Sequence, residues 1–217
     1  MYTNREEAGK LLANKLTNYK ENKEVVIVAI PRGGVPVGYE IAQKLKVPLE
    51  IVLSKKIGHP FNKEYAIGAV TLENSILSDA AKGVSPVYIY DETEQVRALL
   101  KQRHQLYYGE KNPLPLKDKI IILVDDGIAT GNTMISCIQL IQLQKPLKMI
   151  VALPVAPNSA LRKIREMSEV NEVICLSAPV DFQAVGQFYE EFDQINDHEV
   201  VALLKKADEH FSLEKSK

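Results

Sequence analysis

Two apolar runs stand out along the chain. Val25–Ile30 and Ile120–Val124 are continuous, rich in β-branched residues and broken by no polar position. Such runs suit strands buried on both faces of a parallel sheet. Leu49–Leu53, Lys148–Leu153 and Glu172–Leu176 read as further strands. Between them the period changes to that of a helix. Ala8, Leu11, Leu12 and Leu16 recur at helical spacing as far as about Tyr19, behind a capping pattern made by Thr3–Asn4 with Glu6 and Glu7. Helices are also predicted over Val37–Leu45, over Thr133–Leu143, from Asn158 to about Met167, and from an Asp91 cap to about Tyr108. Ile67–Leu72 and Ser75–Ser78 flank Glu73–Asn74 as a hairpin would. The tail carries helical patterns near Ala184–Phe192 and His198–His210.

Strands alternating with helices predict an α/β fold with a mainly parallel sheet and helices on both faces. Lys111–Lys119, with Pro113 and Pro115, reads as a linker, yet the strands on either side of it suit one sheet. A single domain is therefore expected over residues 1–217, with a core over about residues 20–178 and a C-terminal helical elaboration over about 179–217.

Composition narrows the functional classes. With 46% hydrophobic and 25% charged residues, the chain is no disordered or low-complexity protein. A net charge of −1 offers no field to hold nucleic acid non-specifically. The charge is uneven, with 20 basic against 16 acidic residues up to Pro157 and 7 against 12 beyond it. An anion is better hosted by the first part. Cys137 and Cys175, the only cysteines, each lie in an apolar stretch and read as small buried hydrophobes. The polar N-terminus has no apolar signal region, and the longest apolar runs are too short to span a bilayer. A cytoplasmic protein with no membrane partner is expected.

Candidate chemistry sits at two strand ends, where α/β folds bind ligands. After Val124 come Asp125-Asp126-Gly127-Ile128-Ala129-Thr130-Gly131-Asn132-Thr133. Ala129, Thr130, Gly131, Asn132 and Thr133 would present a row of backbone N–H groups at a helix N-terminus, a geometry that binds phosphate. Carboxylates repel phosphate, so Asp125 and Asp126 must meet something else, either sugar hydroxyls or a divalent cation. The ligand these requirements describe is a sugar phosphate. After Ile30 come Pro31-Arg32-Gly33-Gly34. Arg32 carries a planar fork suited to phosphate oxygens, and Gly33 and Gly34 let the backbone approach a ligand. Taken alone, this second loop is equally a tight strand-to-helix turn. Beside the acid-pair loop it becomes a second anion site, suiting a substrate with phosphates at both ends.

The Asp125–Thr133 segment resembles the phosphoribosyl-pyrophosphate (PRPP) motif of type I phosphoribosyltransferases: a hydrophobic strand, an acid pair, then T-G-x-T. The resemblance implies that family's fold. It implies that Asp125 and Asp126 take the ribose hydroxyls, that Ala129–Thr133 hold the 5-phosphate, and that Arg32, Gly33 and Gly34 form the pyrophosphate loop. It also implies a cis peptide bond between Pro31 and Arg32. Basic residues are placed at Lys55 and Lys56, with a mobile loop from about Ile57 to Asn62 that closes over PRPP. Mg2+ is the implied cofactor, carried mainly by the substrate, with Asp125 or Asp126 as its candidate protein contacts. The 6-oxopurine branch carries an acid where this chain has Ala129, which argues against hypoxanthine or guanine as acceptor.

Three features of the middle and tail bear on the acceptor. Arg97, Lys101 and Arg103 read as a solvated helix face, with Arg103 within reach of the site, and His59 reads as a surface residue. Phe182, Phe188, Tyr189 and Phe192 concentrate four aromatics in eleven residues. Phe188 and Phe192 fit packing of a helix on the core, while Phe182 is the candidate to stack on a planar base. The whole chain is similar to a group of bacterial phosphoribosyltransferases whose acceptor is unassigned. The expected partners are PRPP and an unidentified acceptor, with a homodimer left open. The expected activity is transfer to a nitrogen nucleophile; a sensor on the same fold and a sugar-phosphate hydrolase are the rivals.

Overall fold

The computed structural model describes residues 1–215. Five strands form one parallel sheet: β1 (Val25–Ala29), β2 (Leu49–Ile51), β6 (Ile120–Val124), β7 (Lys148–Val155) and β8 (Glu172–Ser177). Their order across the sheet is β2-β1-β6-β7-β8. The two apolar runs, β1 and β6, lie side by side with three strands outside them, which is why no polar position interrupts them. Their alternate residues serve two cores. Val25, Ile27, Ala29, Ile122 and Val124 enter one with α1 (Arg5–Lys15), α2 (Gly34–Leu45) and α6 (Asp197–Lys215). Val26, Val28, Ile121 and Leu123 enter the other with α4 (Asn132–Gln142) and α5 (Asn158–Arg165). Burial of each valine, leucine and isoleucine among them contributes about 1.5–3 kcal/mol relative to exposure. The expected α/β architecture with helices on both faces is the one observed.

The remaining strands, β3 (Lys55–His59), β4 (Asn62–Val70) and β5 (Ser75–Leu77), form a separate antiparallel sheet. The Ile57–Asn62 segment, expected as a mobile loop, forms the top of the β3–β4 hairpin, with register shifts on both sides of Gly58. Gly58 lies against the facing strand, where a Cβ would be 2.7 Å from the Lys63 carbonyl oxygen. β3 opens on two exposed lysines and is interrupted by Gly58, so the pattern there carries little strand signal.

Two helix predictions are corrected. The long helix α3 (Pro86–Tyr108) begins behind Ser85, not at Asp91. Pro86 takes the first helical turn, where its missing N–H costs nothing. The predicted Ala184–Phe192 helix is only a single 3-10 turn over Val185–Phe188. Beyond it the chain is extended, and Tyr189 bridges in parallel to Tyr2. The Gln187 side chain accepts from the backbone N–H groups of Gln183 and Ala184, closing the turn. The aromatic spacing that looked helical serves separate contacts: Tyr189 stacks with Phe192, and Phe182 with Phe188. Cys137 is buried, Cys175 half-buried, and the two are not joined. Among the described residues no helix is long and apolar enough to cross a membrane.

Candidate functional site

β1 and β6 pair in parallel register from Val25 opposite Ile120 to Ala29 opposite Val124, so their C-terminal ends are neighbours. The pairing extends one residue further, with the Ile30 N–H donating to the Val124 carbonyl at 2.9 Å. Both candidate loops leave from these ends and touch at once. A Cβ on Gly33 would lie 2.1 Å from Asp126 Oδ2, and one on Gly34 would lie 2.8 Å from the Val124 carbonyl oxygen. A side chain at either position would force its neighbour to shift. The glycines are required by this contact, whatever they offer a ligand. The Pro31–Arg32 peptide bond is cis.

Asp126 is buried and held from several directions. Arg5, in the first turn of α1, donates from Nε to Asp126 Oδ2 at 2.7 Å. The Tyr189 hydroxyl donates to the Asp126 carbonyl oxygen at 2.6 Å. Burial pushes the Asp126 carboxyl up, and the Arg5 guanidinium opposes that rise. Burial and the Asp126 carboxylate together push the Tyr189 hydroxyl up. Asp125 keeps part of its surface open to solvent. Its carboxyl is held well above the usual carboxylate range, first by burial and then by the charge of Asp126. The Asp126 N–H donates to Asp125 Oδ1 at 2.9 Å. The two acids are therefore a tightly coupled pair in which ionisation of one disfavours ionisation of the other.

The following loop is built differently. Ala129, Thr130, Asn132 and Thr133 are exposed, and Gly131 is buried at the helix entry. Gly131 adopts φ +79, a left-handed conformation that glycine reaches without penalty. It is the residue preceding α4 and has no side chain to cap it, and the only side-chain contact at that N-terminus among the described residues is a long 3.5 Å bond from the Asn132 N–H to Thr130 Oγ1. The first N–H groups of α4 thus face outward at the positive end of the helix dipole.

Arg32 is half-buried, and its Nη1 lies 3.9 Å from Asp197 Oδ1 at the start of α6. Asp197 also accepts from the Tyr107 hydroxyl. Burial and that bond push the tyrosine up to about 12. Lys55 and Lys56 are exposed on β3. Lys55 shares a cleft of about 250 Å³ with Leu99, Leu100 and Arg103 of α3. Phe182 is half-buried and stacks on Phe188 with ring centroids 5.4 Å apart. One of its faces is thereby committed to the aromatic cluster.

Among the described residues no group of three or more His, Cys, Asp or Glu side chains is arranged to hold a metal ion. The acid pair is the available carboxylate source, with Asp126 Oδ2 engaged by Arg5. That donor set fits Mg2+, which keeps several waters and is usually bound through one or two carboxylates plus substrate phosphates.

Neither Arg5 nor Asp197 stands out in the sequence, and Tyr189 does so only as one of four clustered aromatics. Arg5 left one usable signal. A cation in the first turn opposes the helix dipole, which favours acids there, so its presence beside Glu6 and Glu7 calls for a partner elsewhere.

The sequence profile of the family described as phosphoribosyl transferase domain matches residues 2–186. Putative phosphoribosyl transferase Rv0571c of Mycobacterium tuberculosis is 34% identical over 216 residues, covering 98% of this chain and 48% of that protein. The chain spans about half the length of the curated relatives it matches. The crystal structure of TT1426 from Thermus thermophilus superposes with a TM-score of 0.83 at 33% identity, covering 95% of this chain and 98% of that one. A hypothetical protein from Neisseria gonorrhoeae, solved with bound ppGpp, is similar in fold alone, with a TM-score of 0.51 at 15% identity over 93% of this chain and 92% of that one.

Proposed function

We propose that this chain, which belongs to the phosphoribosyl transferase domain family, transfers the phosphoribosyl group of PRPP to a nitrogen nucleophile, with Mg2+, and releases pyrophosphate. The observation that carries this reading is the direct contact between the Arg32-Gly33-Gly34 loop and the Asp125–Asp126 pair at neighbouring strand ends. A substrate with a ribose between two phosphate groups spans such a site. In this reading Asp125 and Asp126 accept from the ribose hydroxyls. The outward N–H groups of Ala129–Thr133 and the Thr130 and Thr133 hydroxyls donate to the 5-phosphate. Arg32 and the backbone at Gly33 and Gly34 donate to the pyrophosphate, with Lys55 and Lys56 as further cations.

The acceptor nitrogen forms a bond to the anomeric carbon while the bond from that carbon to the pyrophosphate oxygen breaks. The electron pair leaves with pyrophosphate, and the acceptor loses its N–H proton to solvent. Positive charge develops on the ribose in the transition state, as in glycoside transfer. Asp125 or Asp126, together with substrate oxygens, would hold Mg2+, which would supply charge neutralisation for the departing pyrophosphate. The chain's own contribution is to fix the sugar and place charge where it develops. Phe182 offers its free face to a planar acceptor such as a base, and Ala129 leaves no acid in the loop to handle a base proton. The reaction belongs to cytoplasmic nucleotide metabolism in this reading.

Pyrophosphate release from PRPP and Mg2+, followed across a panel of purine and pyrimidine bases, tests the proposal. Release dependent on one base supports transfer. Release without any base supports hydrolysis, and tight PRPP binding without release supports a sensor.

A further inference from the structure

We infer that Arg5 is a positioning residue of this site: it aims the Asp126 carboxylate at the sugar hydroxyls and couples that aim to the segment over residues 188–193. The inference rests on the sugar-binding role proposed for the acid pair. Arg5 is 8% exposed although it lies in the first turn of a surface helix. Three contacts fix its guanidinium. Nε donates to Asp126 Oδ2 at 2.7 Å, Nη1 donates to the Asp193 carbonyl oxygen at 2.8 Å, and the group lies 3.8 Å from the centre of the Phe192 ring. The carboxylate oxygen it holds is the one that would meet a Cβ on Gly33. Oδ2 is thus confined between the Arg5 fork and the pyrophosphate-loop backbone.

The surrounding contacts point the same way. The Tyr2 N–H donates to the Phe188 carbonyl at 2.8 Å, the Glu190 N–H to the Tyr2 carbonyl at 2.8 Å, and the Glu191 N–H to the Thr3 carbonyl at 2.9 Å. Residues 2–5 and 188–193 therefore form one clasp, two of whose side chains end on a single residue, Arg5 on the carboxylate of Asp126 and Tyr189 on its carbonyl, while the Tyr2 hydroxyl donates to the Pro154 carbonyl. Stability alone is a poor reason for this arrangement, since a buried ion pair is often no better than a well-packed apolar pair of similar volume. A planar fork with one donor on the carboxylate and another on a backbone carbonyl fixes direction, which an apolar pair does not.

The test compares equilibrium binding of ribose 5-phosphate, 2-deoxyribose 5-phosphate, 3-deoxyribose 5-phosphate and inorganic phosphate to wild type, Arg5→Gln and Arg5→Lys. Wild type should prefer ribose 5-phosphate over at least one deoxy sugar by roughly tenfold or more. Arg5→Gln should bring that preference close to one while inorganic phosphate affinity stays within about twofold. Arg5→Lys, which keeps charge but loses the fork, should fall between. Phe192→Leu, which removes the supporting ring and leaves Arg5 in place, should lower the preference partially and keeps the inference testable if the Arg5 variants do not fold. A folded Arg5→Gln protein with the wild-type preference overturns the inference and leaves the proposed function standing. Parallel loss of preference and phosphate affinity also overturns it, because a purely structural role predicts that. A wild type indifferent to the sugar hydroxyls removes the proposed sugar site itself, and the inference with it.

Discussion

The acid pair Asp125–Asp126 and the loop Ala129–Thr133 are separated by two residues and are built on opposite principles. Asp126 is buried, with Arg5, Tyr189 and the Gly33 backbone on it, and each of those partners is distant in sequence. Ala129, Thr130, Asn132 and Thr133 are exposed, shaped by one local dihedral at Gly131 and by the start of α4. The first half of the site is finished by folding. The second is left with unsatisfied donors for a ligand to complete. Substitutions in the first half should therefore cost stability, and those at the exposed side chains of the second should cost affinity alone.

The largest effect is expected at the buried ion pair. Asp126→Ala leaves the Arg5 guanidinium without its counter-charge, a change worth about 3–5 kcal/mol when a buried pair loses one partner. Thr130→Ala, on the exposed loop, should stay within about 0.5 kcal/mol of wild type. Urea denaturation of both variants measures the difference. An Asp126→Ala protein within about 1 kcal/mol of wild type would dissolve the contrast between the halves. Next in size is Gly33→Ala. Its methyl would lie 2.1 Å from Asp126 Oδ2, so the carboxylate must move, at a cost of about 1–3 kcal/mol. At Gly131 the nearest atom to an added Cβ is 3.5 Å away, so Gly131→Ala is strained by its φ of +79 alone, about 1–2 kcal/mol. Crystal structures of the two variants should show a displaced Asp126 side chain only in the first.

The same contrast explains what was legible in the sequence. β1 and β6 were visible because central strands bury both faces, which leaves an unbroken apolar run. The loops after them were visible because their chemistry is contiguous: acids, glycines and hydroxyls within nine residues. Arg5 and Tyr189 lie 121 and 63 residues from Asp126, and no local pattern encodes such a contact. The tail misled for a related reason. Phe188 and Phe192 have helical spacing, yet Phe192 serves Arg5, and the Tyr189 between them faces Asp126. Their targets lie in other elements, so a local period was imitated by long-range demands. The β3–β4 hairpin escaped because its strands are paired with each other and partly exposed, so polar positions hide the alternation.

The acid pair should also make stability depend on pH in an unusual direction. Asp125 has its carboxyl raised by burial and by the neighbouring Asp126 charge. Folding then favours the protonated form. Its contribution is fully present below the unfolded value of about 3.9 and is lost as pH rises through the folded value. Asp125→Asn imitates the protonated acid at every pH. The stability of this variant relative to wild type should therefore increase between pH 4 and pH 7, read as the difference in urea midpoints. Thr130→Ala, on the open half, should show a difference from wild type that does not vary with pH. A pH-independent difference for Asp125→Asn would mean that the carboxyl is effectively solvated, and the two halves would be less distinct than their burial indicates.

The smallest expected effect concerns Arg32, which belongs to neither half. Its Nη1 is 3.9 Å from Asp197 Oδ1, and both side chains are about one-third exposed. At that distance and exposure the attraction is worth about 1 kcal/mol or less. A pyrophosphate binding at this loop would compete with Asp197 for the same guanidinium. Asp197→Asn removes the competing charge while its amide oxygen can still accept from the Tyr107 hydroxyl, so the junction between α3 and α6 should persist. Loss of an acid from the first turn of α6 costs about 0.3–1 kcal/mol of stability. Binding of inorganic pyrophosphate should tighten by about two- to fivefold at low ionic strength, measured by calorimetry. The gain should shrink at about 0.5 M salt, because exposed charges are then screened over a few ångströms. Unchanged or weaker binding at low salt would show that Asp197 does not compete for Arg32, and would confine the tail's influence on the site to its hold on Asp126, directly through Tyr189 and indirectly through Arg5.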